Sequence, residues 1–234
     1  REGARPEPVR PYLGGKVGEA QIAAAKLVGI SDAEILEIIA HVAESSKFQP
    51  HFHIPLQSGS DPVLKSMRRR YRTALYRERI EAIRNVLPDA SIGVDVITGF
   101  PNESEAAFAE TQAFLLDLPI SYLHVFTYSE RARTTAPRME ESVPVEVRKA
   151  RTKQLRMLSL KMQRQHYDRF VGTSKPVLFE ESTEDGLRFG YTPEYVRVGI
   201  DAQAVEANQI APVQIHTVHA AGYASGTIAN PTPA

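Results

Sequence analysis

The chain has 234 residues, with 28 basic and 28 acidic side chains, 42% hydrophobic residues and no cysteine. That length and hydrophobicity describe one large or two modest core-forming domains. The absence of cysteine excludes disulfides, thiol nucleophiles, Cys-type zinc sites and any cysteine-ligated iron–sulfur cluster built from this chain alone.

In chain order, residues 1–28 are rich in proline and glycine, lack an apolar period and read as irregular. Ser31-Asp32-Ala33-Glu34 has the form of a capping box ahead of Ile35, Ile38, Ile39 and Val42, one face of a helix. Phe52 to Leu56 reads as a short strand that opens into a loop at Gln57-Ser58-Gly59-Ser60. Asp61 is placed as an N-cap with Pro62 at the first helical position, and Val63, Leu64 and Met67 follow at helical spacing. A longer helix runs from Thr73 to Val86 and stops at Leu87-Pro88. Ser91 to Thr98 is a β-branched run of buried-strand type, ended by Gly99-Phe100-Pro101. Asn102-Glu103-Ser104-Glu105 caps a helix that turns Phe108, Thr111, Leu115 and Leu118 inward, and Tyr122 to Phe126 is a third strand.

Three strands alternating with helices predict βα units around a parallel sheet. After a loop at 128–142, a long helix is expected from Pro144 to Phe170, with the apolar stripe Val147, Ala150, Leu155, Leu158, Met162 and Phe170. At Gly172 the pattern changes. Pro176–Glu180, Leu187–Tyr191, Tyr195–Ile200, Val213–His219 and Tyr223–Ile228 are five short strands with no helix between them, the pattern of a small β-barrel or sandwich. The expected division is 1–28 irregular, 29–172 an α/β domain with a connector helix, 173–229 an all-β unit, and a frayed tail at 230–234.

Zero net charge conceals an asymmetry. Residues 173–234 carry three basic against seven acidic residues, so the two parts sit at −4 and +4. Seven arginines between 68 and 84 face only Glu78 and Glu81, and eleven Lys or Arg between 131 and 169 face four acids. Such stretches are either solvated helix faces or footings for a polyanion. No apolar run approaches the roughly 18 residues of a membrane span, and no secretory signal is apparent, so the expectation is a cytoplasmic protein with no membrane partner. The first residue is Arg1 rather than Met, which suggests a piece of a longer protein.

The segment His51-Phe52-His53-Ile54-Pro55-Leu56-Gln57-Ser58-Gly59-Ser60-Asp61 brings an amide, hydroxyls and free N–H groups to the carboxyl edge of the sheet, where α/β folds bind ligands. On the neighbouring strand Asp95 is acidic in an apolar run and needs a partner. It either contacts a ligand hydroxyl, caps a loop or pairs with an arginine. His51 and His53 share one side of their strand, as metal-binding pairs can. No third ligand is evident, so they read as a packed or hydrogen-bonded pair, and no metal site is expected.

The segments HFHIPLQSGSDPVLKSMRRRY, IGVDVITGFP and YLHVFTYSERARTTA, in that order, resemble the radical S-adenosylmethionine (SAM) tRNA methylthiotransferases. The MRRRY and YLHVFTYS segments most resemble the branch acting on N6-threonylcarbamoyladenosine at tRNA position 37. The likeness covers about residues 29 to 228, and the closing β segment resembles the family's TRAM domain. The resemblance implies the second half of a (β/α)6 partial TIM-like barrel followed by a TRAM-like β-barrel. It implies that Gln57 and Asp95 hold the SAM ribose, that Arg69 lies near the methionine carboxylate, and that Gly99 lets the backbone approach the adenine. It also implies tRNA as partner, with Arg68, Arg70, Arg72, Arg131 and Arg133 as backbone contacts.

The family reaction inserts sulfur and then a methyl group at C2 of the adenine, using two 4Fe–4S clusters. The cluster cysteines have no counterpart among these residues, so the expectation is a chain inactive by itself and partnered by a missing amino-terminal half. The usual F-P-G-E-T appears here as Phe100-Pro101-Asn102-Glu103-Ser104. A non-enzymatic RNA-binding module is the alternative reading, with the basic helices as footing.

Overall fold

The computed structural model describes residues 32–45, 47–130 and 142–229. The expectations for residues 1–28, for Ser31 and the Ile35 side chain, for Arg131 and Arg133, and for the 230–234 tail lie outside the described residues. The elements run α1 (Asp32–Glu44), β1 (His51–His53), α2 (Asp61–Ser66), α3 (Thr73–Val86), β2 (Ser91–Thr98), α4 (Glu105–Asp117), β3 (Tyr122–Thr127) and α5 (Val145–Asp168). They continue through β4 (Ser174–Glu184), β5 (Leu187–Tyr191), β6 (Arg197–Asp201), β7 (Ile210–His219) and β8 (Tyr223–Ile228).

The first three strands form a parallel sheet in the order β1-β2-β3. Side chains alternate across a strand, so the sheet has two unlike faces. Phe52, Ile92, Val94, Val96, Leu123 and Val125 join Tyr76, Ile80, Phe108, Leu115, Leu155 and Met162 in one buried core. The opposite face carries His51, His53, Asp95, Tyr122, His124 and Phe126, and the Phe126 ring is exposed. Parallel sheets are normally covered on both faces; among the described residues helices cover one, and the other is covered only at its His51–Tyr122 end.

Local sequence chemistry shifts several boundaries. The ladder of β1 ends at His53 rather than Leu56: Ile54 still donates its N–H to the Gly93 carbonyl at 2.9 Å, but its own carbonyl accepts from the Tyr76 hydroxyl. Pairing resumes through the Leu56 and Gln57 N–H groups, both donating to the Asp95 carbonyl at 3.1 and 2.8 Å, and through a single bridge from Gln57 to Val96. Asp61 does not cap α2. Ser60 occupies that position, and the Asp61 carboxylate instead accepts the Thr73 N–H at 2.9 Å, holding the first turn of α3. Ser104 is the N-cap of α4 and accepts the Ala107 N–H. In α5 the expected stripe holds only in part. Leu155, Met162 and, just past the helix, Phe170 are buried, but the first turns bury Arg148, Arg151 and Thr152 while Ala150 is exposed.

The five later strands close into a barrel of order β4-β5-β6-β8-β7, deciding between barrel and sandwich. Closure leaves no free strand edge. Its core is Val177, Phe179, Val198, Ile200, Val213, Ile215 and Ala224, plugged at one end by Tyr167 and Phe170 from the end of α5. The β5–β6 connection folds back on the parallel sheet. Tyr195 stacks on His51 with ring centroids 4.0 Å apart, and His51 Nε2 is 2.8 Å from the Tyr122 hydroxyl. Beside them, His166 of α5 hydrogen-bonds the Glu194 carbonyl at 2.9 Å, and the Glu194 carboxylate pairs with Lys175 at 2.6 Å. Among the described residues, no helix is long and apolar enough to cross a membrane.

Burial at this joint holds His166 neutral, its pKa lowered to about 4, with Arg169 and Arg84 adding repulsion against the opposing pull of Glu194. A folded-state pKa below the unfolded value means that the unfolded chain takes up the proton first. The contribution is therefore complete above about pH 6.5 and is lost as pH falls toward 4, amounting to roughly 3 kcal/mol at most. Thermal unfolding followed by circular dichroism should show the midpoint falling across that window. A His166→Gln variant, which can still donate to the Glu194 carbonyl, should reduce the slope to the part that His51, its pKa also lowered to about 4, supplies.

Candidate functional site

The polar groups of the open sheet face converge on Asp95. His53 on β1 places Nε2 2.7 Å from Asp95 Oδ1, and His124 on β3 places Nδ1 3.5 Å from the same oxygen. Asp95 and His124 are register partners on neighbouring strands, so the sheet itself fixes their approach. The two imidazole rings lie 4.9 Å apart. Asp95 is thus partnered by two histidines, neither capping a loop nor pairing with an arginine. The sequence reading found no third ligand for the histidine pair, yet His53, Asp95 and His124 form one His/carboxylate group with ligand atoms within 4.8 Å of one another. His124 was the residue missed. Its signal was available in the alternation of Tyr122, His124 and Phe126, which aims it to the same side as Asp95. His51 stands apart, bound to Tyr122 and held neutral by burial with its pKa lowered to about 4.

Gln57 sits at the carboxyl end of β1 with φ 75, a left-handed conformation uncommon for a residue with a side chain. Its backbone is fixed by two bonds to β2, its N–H donating to the Asp95 carbonyl and its C=O accepting from Ile97. The next turn is tied to the same place. The Tyr71 hydroxyl donates to the Leu56 carbonyl at 2.8 Å, which sets the exposed run Arg68, Arg69 and Arg70 beside the end of β1. Arg72 is exposed as well, with one long bond of 3.4 Å to the Asp61 carbonyl.

Most of the other described arginines of the two basic stretches are engaged. Arg77 pairs with Asp117 at 2.8 Å, Arg84 donates to the Pro88, Ala90 and Pro119 carbonyls, and Arg79 is buried. Arg169 pairs with Asp89 at 2.7 Å, and Arg148 and Arg151 are buried. Among the described residues, the basic stretches offer a polyanion chiefly the turn at 68–72 and the outer face of α5.

Gly99 closes β2 with φ 75, and a Cβ there would collide with the Arg148 side chain. Its glycine character therefore has a packing cause, and the Arg148 stem occupies the space on that side. The Gly99 N–H donates to Glu103 Oε2 at 2.7 Å, and the same oxygen accepts from Arg151 Nη1 at 2.7 Å. Arg151 also donates to the Glu103 carbonyl at 2.8 Å and lies 5.0 Å above the Phe108 ring. Burial raises the Glu103 pKa against the pull of the Gly99 N–H and Arg151.

Removing Glu103 leaves the buried Arg151 with an exposed carboxylate, Glu105 at 2.9 Å, in place of a buried one. Glu103→Ala should therefore cost about 3–5 kcal/mol in chemical denaturation, whereas the paired change Glu103→Leu with Arg151→Met should cost distinctly less.

Comparison with known proteins agrees with these motifs. Residues 24–115 match the family description "Radical SAM superfamily". The chain is 35% identical over 188 residues to the threonylcarbamoyladenosine tRNA methylthiotransferase MtaB of Bacillus subtilis (strain 168), a match covering 77% of this chain and 42% of that protein. It is 37% identical over 170 residues to the MtaB of Rickettsia prowazekii (strain Madrid E), covering 73% and 38%. Against the tRNA-2-methylthio-N(6)-dimethylallyladenosine synthase of Thermobifida fusca (strain YX) it is 40% identical over 145 residues, covering 62% and 29%. The chain spans less than half the length of these relatives. The chain thus carries a radical SAM match over residues 24–115 and is similar to one part of the length of these tRNA methylthiotransferases.

Proposed function

We propose that this chain contributes the SAM-holding edge and a tRNA-facing surface to a methylthiotransferase that modifies C2 of N6-threonylcarbamoyladenosine at tRNA position 37. The observation that carries the reading is the end of β1. There Gln57 is held at a left-handed φ against β2. Asp95 lies on the adjoining strand with Oδ1 taken by the histidines and, among the described residues, no hydrogen bond to Oδ2.

A carboxylate oxygen open to solvent suits a ribose diol, and an amide supplies both a donor and an acceptor. Arg69, exposed on the turn that Tyr71 anchors beside Gln57, is a candidate partner for the methionine carboxylate. Gly99 is retained as an adenine neighbour only through its backbone, since Arg148 fills the space where a side chain would stand. Bound SAM would supply the methyl group and the radical source for that chemistry. These 234 residues do not fit a 4Fe–4S cluster, because they contain no cysteine. No step is assigned to a cluster on this chain, and its ligands would have to come from elsewhere in the assembly. The part of this sheet face that carries the exposed Phe126 and the half-exposed His124 suits a covering partner such as the rest of a barrel.

For tRNA, the free cations at Arg68, Arg70 and Arg72 flank the same edge, and Arg131 and Arg133 are further candidates. Equilibrium dialysis with labelled SAM tests the first part. Gln57→Ala should weaken binding at least about tenfold, and unchanged binding would remove Gln57 from the site. The triple change Arg68→Ala, Arg70→Ala, Arg72→Ala should weaken tRNA binding and reduce the salt slope by about 2 to 3, near one unit per lost phosphate contact.

The self-closed barrel with its own core favours one second reading, a non-enzymatic RNA-binding module. That reading requires tRNA affinity without any saturable SAM binding. The same dialysis separates the two.

A further inference from the structure

We propose that His53, Asp95 and His124 form a binding site for one divalent transition-metal ion of the Zn(II) or Fe(II) class. The site goes beyond the SAM reading above and is distinct from any cysteine-held cluster. One ligand comes from each of three hydrogen-bonded strands, and all three project from the same face. The ligand-atom separations at Asp95 Oδ1 are 2.7 Å to His53 Nε2 and 3.5 Å to His124 Nδ1. An ion with bonds of about 2.0–2.2 Å needs its ligand atoms roughly 3 Å apart, so coordination requires small side-chain movements and no backbone change. Strand-borne ligands are held more firmly than loop-borne ones.

The donor set is two imidazoles and one carboxylate, which selects borderline divalent ions. Thiolate-preferring ions have no ligand in a chain without cysteine. Among the described residues this is the single group of three or more such side chains close enough to share an ion. Because all three ligands lie on one side, the remaining coordination positions face the uncovered side of the sheet, where water or a substrate atom can enter. Beside the group on the same face the wall is firm, since His51, Tyr122 and Tyr195 are stacked and hydrogen-bonded together.

Titration of the chain with Co(II), followed by visible d–d absorption, tests the proposal. One equivalent per chain is expected, displaced by Zn(II). Asp95→Asn and His124→Ala should each weaken binding at least about tenfold. His124 is half exposed, so its truncation leaves the fold intact, and circular dichroism checks this. His216→Ala and His219→Ala on the barrel should leave the titration unchanged. Absence of saturable Co(II) and Zn(II) binding, or binding undiminished by both Asp95→Asn and His124→Ala, would overturn the site. The two readings fail separately. His124→Ala should remove metal and spare SAM, and Gln57→Ala should do the reverse.

Discussion

A single buried carboxylate organises the turn on which the α/β unit depends. Glu103 receives the Gly99 N–H and the Arg151 guanidinium on one oxygen, and its own backbone carbonyl takes a second bond from Arg151. Three elements therefore meet at one point: the end of β2, the approach to α4, and the first turns of α5. A buried ion pair rarely exceeds an apolar substitute in stability, because desolvation offsets most of the attraction. Its use is directional. Arg151 reaches Glu103 with one nitrogen and Glu105, at 2.9 Å, with another, so the approach to α4 and the first turns of α5 are held in one relative direction. Thr98 continues the fixation, its hydroxyl 2.7 Å from Thr152 of α5, which in turn meets Thr127 of β3. The strand end that carries Asp95 is thus locked from behind by polar contacts while its other face stays open.

The helices and strands were legible wherever apolar spacing was the cause of folding. β2, α3, α4 and the five barrel strands lie within a few residues of where periodicity and turn residues put them. Three features escaped. The β1 ladder stopped at His53, where the Ile54 carbonyl turns to the hydroxyl of Tyr76, a residue beyond any local window. Arg148 and Arg151 read as a solvated basic face, because periodicity weighs a charged residue as exposed. Their partners lie up to 48 positions away, beyond any local window. The third was Asp95 and its histidines, since only strand register shows that positions 53, 95 and 124 coincide.

Where the sequence departs from the family pattern, the local chemistry explains how the turn survives. Asn102 stands at the glycine of F-P-G-E-T and has φ 69. Asparagine tolerates that left-handed region better than other residues with a side chain. Ser104 replaces threonine and still caps α4 through its hydroxyl. The carboxylate between them is unchanged, as the buried ion pair requires. Both replacements keep the property the turn uses: a permitted positive φ in one, an accepting oxygen in the other.

Tyr195 has φ 62, rare for a bulky residue, and spends that strain on stacking against His51 of the parallel sheet and Tyr191 of the barrel. The sequence draws a seam near Gly172, where helices give way to strands, but the physical seam is elsewhere. A residue from the barrel side covers one end of the sheet face that carries the polar cluster, so the boundary of chain composition is not a boundary of packing. The α/β unit cut at that point would lose the side wall of its polar cluster and expose the buried His51–Tyr122 pair to water. Exchange of the barrel for another module in evolution would then require compensating changes at His51, Tyr122 and His166, which makes the joint a heritable unit in its own right.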